Sequence, residues 1–343
     1  MSFKNEKDLV WSYFEDMDSA KAEDVLSTME KYVSSNYNWK GVYPFREITN
    51  LEGVVEKFWR PLKESFSFMQ RRADIFIAGE SEIGGENWVM CMGHFMGLFD
   101  KEWLNIPPTG KMTSIRFAEF NCVEDGKITK TGLFIDLIGV MQQAGLNPLP
   151  ASTGQFFVYP GPRDHNGLLR DDVNPDEGIK TMALVNKMVN DLSELNDSGA
   201  MGCPPEVLAK SWANDMIWYG PAGIGASYTI DRYQMQHQLP FRNNLDGKKF
   251  NGHVCRFAEG NFACFFGWPN LTNYATGGFL GMTGSDKPAD MQVVDVYYRK
   301  GEQLSENWVL IDLPYWLKQQ GVDILERTTR VQNYKHGVKY DRY

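Results

Sequence analysis

The sequence predicts an α+β fold in two tandem halves, each a curved antiparallel sheet with helices packed on one face. The first observation is an internal repeat: the run Phe134-Ile135-Asp136-Leu137 returns as Leu310-Ile311-Asp312-Leu313, and other segments repeat with offsets of 174 to 179 residues. The second is that helical patterns precede strand-like runs without alternating with them. The third is the length of 343 residues, which suits two domains. A repeat this long indicates a duplicated domain.

The first half, residues 1–147, is predicted to contain two helices followed by four strands. Apolar residues recur at three- and four-residue steps over residues 21–35 and 51–68, which is typical of helices. Shorter apolar runs bounded by turn residues then predict strands at 73–78, 87–97, 113–123 and 127–136. The turns fall at Gly84-Gly85, Pro107-Pro108 and Asp125-Gly126.

Residues 148–175 are predicted to be a linker, because they are rich in Pro and Gly and their apolar residues follow neither the helical nor the strand spacing. The aromatic side chains of Phe156, Phe157 and Tyr159 indicate that the linker packs across a surface. The second half, residues 176–343, restarts after Pro175-Asp176, which is a suitable helix opening. The basic residues after Glu326 predict a solvated tail or a packing arm.

Composition excludes several classes of function. A net charge of -9 argues against nucleic acid or an anionic membrane as a partner, since both require a basic face. Five scattered Cys residues suggest reduced thiols in the cytoplasm. No apolar run reaches the roughly 20 residues that span a bilayer, and residues 1–18 lack the apolar segment of a signal peptide. No motif for a dinucleotide, a phosphate or a structural zinc is complete, so we expect no cofactor and no metal.

A family resemblance rests on five motifs in order. These are Gly93-His94, then the run 107–111 (Pro-Pro-Thr-Gly-Lys), then 125–128 (Asp-Gly-Lys-Ile), then Asp136, then 143–145 (Gln-Ala-Gly). In this combination the first half resembles the SnoaL-like polyketide cyclases, which share the cystatin-like cone fold of nuclear transport factor two. The resemblance implies two tandem cone domains, the second degenerate, since Trp268 stands there opposite His94 and the 107–111 motif is missing. It also implies a pseudo-dimer within the chain and a possible homodimer.

Asp136 and Asp312 are the first candidate catalytic residues. Burial of an ionised Asp at the end of an apolar strand costs free energy unless the carboxylate is paired with a cation, exposed to water or used in catalysis. In the family that this chain resembles, the corresponding Asp is the acid–base residue of an intramolecular aldol ring closure. The alternative is that each Asp caps the helix that follows it, and for Asp312 the cap is the favoured interpretation.

His94 is the third catalytic candidate, because it lies within an apolar run and could orient Asp136 or donate to a substrate carbonyl. Arg116 could stabilise an enolate, or it could be a surface ion-pair partner. The predicted substrate-binding residues share large apolar side chains that could form a slot or belong to the core. Besides Arg116 they are Trp39, Phe58, Trp59, Met92, Phe134, Trp218, Trp268 and Trp308.

The sequence therefore predicts cofactor-free acid–base chemistry at Asp136, assisted by His94, on a small hydrophobic molecule with a carbonyl group. A non-catalytic binding protein for a hydrophobic metabolite is the alternative, because one fold hosts both outcomes. Cys122 and Gly132, which replace the Arg and Trp usual in the family, favour that alternative. A hydrolase of an epoxide or ester, in which Asp136 activates water, is a third hypothesis.

Overall fold

The computed structural model describes residues 2–198 and 203–335. Two sheets, one in each half of the chain, form its framework. The strands of the first half are β1 Val33–Gly41, β2 Arg46–Ile48, β3 Phe66–Glu80, β4 Asn87–Phe99, β5 Met112–Glu124 and β6 Lys127–Ile135. Those of the second are β7 Trp212–Tyr219, β8 Ala226–Tyr228, β9 Asp246–Phe250, β10 Cys255–Glu259, β11 Phe262–Tyr274, β12 Pro288–Lys300 and β13 Gln303–Ile311.

Helices precede the long strands in each half; one short helix follows the last strand of the first half, and two helices follow that of the second. In the first half they are α1 Lys4–Ser19, α2 Val25–Met29, α3 Leu51–Val54, α4 Arg60–Ser65 and α5 Leu137–Gln143. In the second half they are α6 Pro175–Asp197, α7 Pro205–Leu208, α8 Thr229–Tyr233, α9 Leu239–Asn244, α10 Leu313–Gln319 and α11 Ile324–Lys335. A π-helical turn joins α3 to α4, and another joins α8 to α9. No helix of the described chain is long and apolar enough to cross a membrane.

The predicted α+β class in two repeated halves is confirmed, but the sheets are mixed rather than purely antiparallel. The first sheet has the order β2-β1-β6-β5-β4-β3, and the second runs β10-β11-β12-β13-β7-β8 with β9 paired to β11. Strands β3 to β6 form an antiparallel meander, and β1 joins β6 in parallel. The pair β7 and β13 repeats this arrangement. The parallel pair arises because α3 and α4 separate β1 from the meander.

The two sheets pack against each other through one face, so that each half covers the other. Phe266 of β11 lies at the centre of this contact, with ring centroids 4.9 Å from Phe120, 5.8 Å from Trp88 and 5.8 Å from Phe134. Gly132 leaves room for it, since a Cβ there would meet the Phe266 ring at 3.0 Å. We call this side of each sheet the shared face and the opposite side the concave face.

Two predicted helices end earlier than their apolar pattern. The stretch predicted as helix over 21–35 ends at Met29, and β1 starts at Val33. The stretch over 51–68 ends at Ser65, where Phe66 enters β3 and stacks on Phe99 with ring centroids 4.5 Å apart. Strand pairing with distant segments overrides the local helical period at both ends. Helix α1, which the sequence analysis did not anticipate, buries Val10, Tyr13, Phe14 and Met17 on one side.

Residues 148–175 contain no regular helix or strand before α6 begins, and they lie against both halves. Phe76 of β3 donates its N–H to Gly167 O at 2.7 Å, and Trp308 of β13 donates its indole N–H to Pro160 O at 3.1 Å. The predicted boundaries at 147 and 175 stay predictions. Part of the basic tail, residues 336–343, lies outside the described residues.

Candidate functional site

Three of the predicted residues lie side by side at one end of the first sheet. His94 of β4 and Arg116 of β5 are register partners, so their side chains share a face. Asp136 follows β6, and its backbone N–H donates to Arg116 O at 2.9 Å. The row His94, Arg116 and Asp136 lies on the shared face, at the edge of the contact with the second half.

A cavity of about 680 Å³ adjoins this row. His94, Arg116 and Ser114 line it from the sheet, Gln142 and Gln143 from α5, and residues 149–152 and 154–158 from the linker. Its wall is mixed: Leu149 and Phe156 are apolar, and Gln155 is polar. Asp136 is not among the residues that line it. The linker therefore forms one side of a pocket that exposes two of the three predicted groups.

Asp136 itself is buried and hydrogen-bonded through both oxygens. Gly139 N donates to Oδ1 at 3.1 Å, which caps α5, and Ala222 N of the second half donates to Oδ2 at 2.7 Å. Burial raises the pKa of this carboxyl, while the two N–H donors and the Arg116 guanidinium oppose the shift. Both interpretations of Asp136 thus have support: it caps a helix, and it has the perturbed pKa of an acid–base group.

Asp312 makes the equivalent contacts from the second half: one oxygen caps the helix that follows it, and the other accepts an N–H from the first half. Tyr315 N donates to its Oδ1 at 3.2 Å, and Tyr43 N of the first half donates to Oδ2 at 2.8 Å. Burial raises its pKa to about 6. The Arg46 guanidinium, 3.4 Å from Oδ2, lies 3.5 Å from the Tyr315 ring centroid and 4.6 Å from that of Trp268. The two Asp residues therefore form crossed links between the halves.

Arg116 is buried and is not the surface ion-pair partner that was one expectation. Its guanidinium donates to Tyr219 O at 3.1 Å and Gly220 O at 3.3 Å, and it lies 4.8 Å from the Tyr159 ring centroid. Burial lowers its pKa. No carboxylate of the described chain lies within ion-pair distance of it. A buried cation bonded only to backbone carbonyls, at the wall of a cavity, can stabilise negative charge on a ligand oxygen.

His94 has an acidic neighbour that the sequence analysis missed. Its Nδ1 lies 3.4 Å from Asp74 Oδ2 on the adjacent strand β3, and both side chains are largely buried. Asp74 falls within the predicted strand 73–78, and a single acid in a buried strand was the available signal. At this distance the two groups are close, but Nδ1 makes no hydrogen bond to a described residue.

The predicted substrate-binding aromatics do not form one slot. Trp39, Phe58 and Trp59 lie on the concave face of the first half, where each is at most 2% exposed and their rings contact one another at 5.0–5.3 Å. Trp218 lies on the concave face of the second half and stacks on His237 at 4.0 Å. The others lie on the shared face. They are Met92, Phe134, Trp268 and Trp308.

The concave face of the second half contains an acidic residue that the sequence analysis also missed. Asp295 of β12 accepts hydrogen bonds from Tyr297 OH at 3.1 Å and Asn307 Nδ2 at 3.3 Å, and burial raises its pKa to about 6. It remains partly exposed. The internal repeat was the available signal, because Glu119 stands at the matching place in the first half.

One group of side chains in the described chain has the composition of a metal site. Ligand atoms of Glu86, Cys122 and Glu124 lie within 4.8 Å of one another. Lys130 already pairs with Glu86 and lies 3.9 Å from Glu124. Burial raises the pKa of the Cys122 thiol to about 12, and a protonated thiol is a poor ligand. The group fits an ion-pair cluster better than a metal site.

Residues 61–144 match the family model of the SnoaL-like polyketide cyclases, which confirms the expected resemblance for that part of the chain. No curated protein matches. A proposed SnoaL-like polyketide cyclase from Jannaschia sp. CCS1 is 18% identical, covering 41% of this chain and 91% of its own, with a TM-score of 0.33.

Two further solved structures cover a similar share of the chain. An NTF2-like protein from Burkholderia xenovorans LB400 is 10% identical and covers 42% of this chain and 97% of its own, with a TM-score of 0.33. IdmH, a proposed polyketide cyclase from Streptomyces antibioticus, is 16% identical and covers 40% and 97%, with a TM-score of 0.33.

Proposed function

We propose that this protein is a cyclase or isomerase of the SnoaL-like kind, which acts in the cavity beside His94 on a small apolar molecule with a carbonyl group. The observation that carries the proposal is the row His94, Arg116 and Asp136 beside a cavity of about 680 Å³. A volume of this size suits a small-molecule ligand. The protein would work without a cofactor in the cytoplasm.

The chemistry follows from the three side chains. Removal of a proton next to a carbonyl leaves negative charge on the carbonyl oxygen, and Arg116 is placed to stabilise it. Asp136 accepts the proton and returns it elsewhere, which its raised pKa favours. His94, whose Nδ1 lies 3.4 Å from Asp74, donates to the substrate or relays the proton between Asp136 and the cavity. The relay is needed because Asp136 does not line the cavity.

A non-catalytic binding protein is the second candidate, and one observation favours it. Both Asp136 oxygens already accept backbone N–H groups, one of them from the other half of the chain. In that case Asp136 joins the two halves, and the cavity holds its ligand without changing it. Arg116 would then bind a carbonyl or carboxylate oxygen of the ligand.

Exchange of an activated C–H proton separates the two candidates. The assay measures deuterium uptake at the α-carbon of 2-tetralone in D2O by proton NMR, and binding by quenching of Trp fluorescence. Catalysis predicts that Asp136→Asn lowers the exchange rate by about 100-fold or more while 2-tetralone still binds. Asp312→Asn is the matched control, because it alters the equivalent link between the halves away from the cavity.

Each outcome supports or excludes one of the two candidate functions. Loss of exchange in the Asp136 variant alone supports the acid–base proposal. Equal rates in both variants and the wild type eliminate Asp136 as the proton acceptor. Binding of 2-tetralone without any enzyme-dependent exchange favours the binding protein.

A further inference from the structure

The cavity beside His94 is lined by cationic and neutral side chains, although the chain as a whole has a net charge of -9. None of the described residues that line it is an acid, and the titratable ones are Arg116 and His94. Each of these two residues is only 4% exposed. A negatively charged ligand in the cavity would therefore meet a desolvated cation and no opposing carboxylate on its wall.

Arg116 lacks the carboxylate partner that other buried arginines of the described chain have. Arg71 pairs with Glu119 at 2.8 Å, and Arg299 pairs with Glu177. The side chains of both these arginines are at most 6% exposed. Burial of a guanidinium costs free energy unless an opposite charge compensates it. At Arg71 and Arg299 the chain supplies that charge, and at Arg116 it does not.

Asp136 acts on Arg116 electrostatically but does not take the place of a partner. It lies beyond ion-pair distance, and backbone N–H groups already donate to both of its oxygens. The Arg116 guanidinium donates to the carbonyl oxygens of Tyr219 and Gly220. Its other N–H groups have no acceptor in the described chain, so they can donate to a ligand in the cavity.

The internal repeat shows a different arrangement in the second half. Gln292 stands there at the place of Arg116, because Asp312 N donates to Gln292 O at 3.0 Å as Asp136 N donates to Arg116 O. The cation of the second half is Arg46 instead, and its guanidinium lies 3.4 Å from the Asp312 carboxylate. The second half thus pairs its cation with its own Asp, whereas the cation of the first half lies unpaired at the wall of a cavity.

The rest of the cavity wall suits an apolar body with a polar end. Leu149 and Phe156 of the linker form an apolar side, and Gln155 adds an amide group. His94 lies beside Arg116 on the neighbouring strand, and its buried Nδ1 has no hydrogen-bond partner among the described residues. The charged and the apolar parts of the wall therefore match the two ends of an amphipathic molecule.

We propose that the ligand of this cavity is a 2-oxo carboxylate on an apolar body, bound to Arg116 through a carboxylate oxygen and the adjacent ketone oxygen. The inference rests on the function proposed for the cavity, which places the ketone oxygen at Arg116. The carboxylate supplies the counterion that Arg116 lacks, and a guanidinium presents its N–H groups as a planar fork that binds two neighbouring oxygens. The apolar body packs against Leu149 and Phe156.

The test compares binding of phenylpyruvate and phenylacetone to the full chain by isothermal titration calorimetry. Phenylacetone has the same ketone and ring without the carboxylate, so wild type should bind phenylpyruvate at least about tenfold more tightly. Arg116→Gln should abolish this preference, and Gln292 shows that the equivalent place in the second half accepts Gln. Arg46→Gln is the matched control, since it removes the same charge beside the other Asp, and it should keep the preference.

Two results would overturn the inference. One is equal affinity of wild type for phenylpyruvate and phenylacetone, including no binding of either. The other is an Arg116→Gln variant that folds and still prefers phenylpyruvate. Neither result decides the function proposed for the cavity, because deuterium exchange into 2-tetralone needs no carboxylate. Conversely, an Arg116-dependent preference for phenylpyruvate without exchange into 2-tetralone supports this ligand class and counts against catalysis.

Discussion

Replacing Asp295 by Asn should stabilise the fold at neutral pH and leave it unchanged in acid. The carboxylate has no cation partner in the described chain, and burial raises its pKa from 3.8 to about 6. The folded chain therefore holds the proton more tightly than the unfolded chain does. Ionisation of Asp295 above pH 6 consequently costs folding free energy, and this cost disappears below about pH 4.

The size of the effect follows from the pKa change. A rise of about two units corresponds to about 3 kcal/mol at 1.36 kcal/mol per unit. Because Asp295 is partly exposed, solvent reduces this figure, and we expect a gain of about 1–3 kcal/mol for the variant at pH 7. Asn keeps the hydrogen bonds from Tyr297 and Asn307, so little is lost in exchange.

Urea unfolding followed by Trp fluorescence at a series of pH values between 4 and 7.5 measures this difference. The free energy of unfolding of the variant minus that of the wild type should be positive at pH 7 and fall toward zero between pH 6 and 4. Asp290→Asn corrects for the change in net charge. A difference that does not vary with pH, or a variant less stable at pH 7, would refute the reasoning.

Three other changes test the contacts between the halves, each by urea unfolding at pH 7. Phe266→Ala should lower the free energy of unfolding by about 3–5 kcal/mol, because its ring fills the contact between the sheets; a loss below 1 kcal/mol would contradict that role. Lys7→Met should cost about 3–5 kcal/mol by leaving the buried Glu259 unpaired, and adding Glu259→Gln, which removes the charge but keeps an acceptor for the Ala78 N–H, should restore part of it. Asp312→Ala should cost about 2–4 kcal/mol, since the half-buried N–H of Tyr43 loses its acceptor.

The strands were easier to predict than the helices. The runs at 87–97 and 113–123 lie within β4 and β5. Short apolar runs bounded by turn residues are typical of strands, which is why these predictions succeeded. The helical pattern of 21–35 continued past the end of α2 at Met29, because the apolar residues beyond it serve strand β1 instead. The spacing of the apolar residues cannot by itself show whether this segment is helix or strand, since the partner strand β6 lies almost a hundred residues further on.

The candidate site was predicted in part. His94 and Asp136 were chosen from motifs and Arg116 as a cation that could stabilise an enolate, and the structure brings them together because antiparallel register places them opposite one another. Asp74 and Asp295 were missed, because neither belongs to a motif. Their significance depends on which partners approach them across the sheets.

The sequence by itself determined that the chain is duplicated, that each half is α+β, and that one Asp ends the last long strand of each half. These features can be recognised from the local spacing of apolar residues and from the internal repeat. Only the tertiary structure decided that the two sheets share a face, and that Asp136 and Asp312 each accept an N–H from the other half. It also decided that Glu119 pairs with Arg71 while Asp295, at the matching place, makes no ion pair with any described residue. The physical reason is that hydrogen bonds, ion pairs and burial are relations between distant segments, and these are fixed only when the halves pack together.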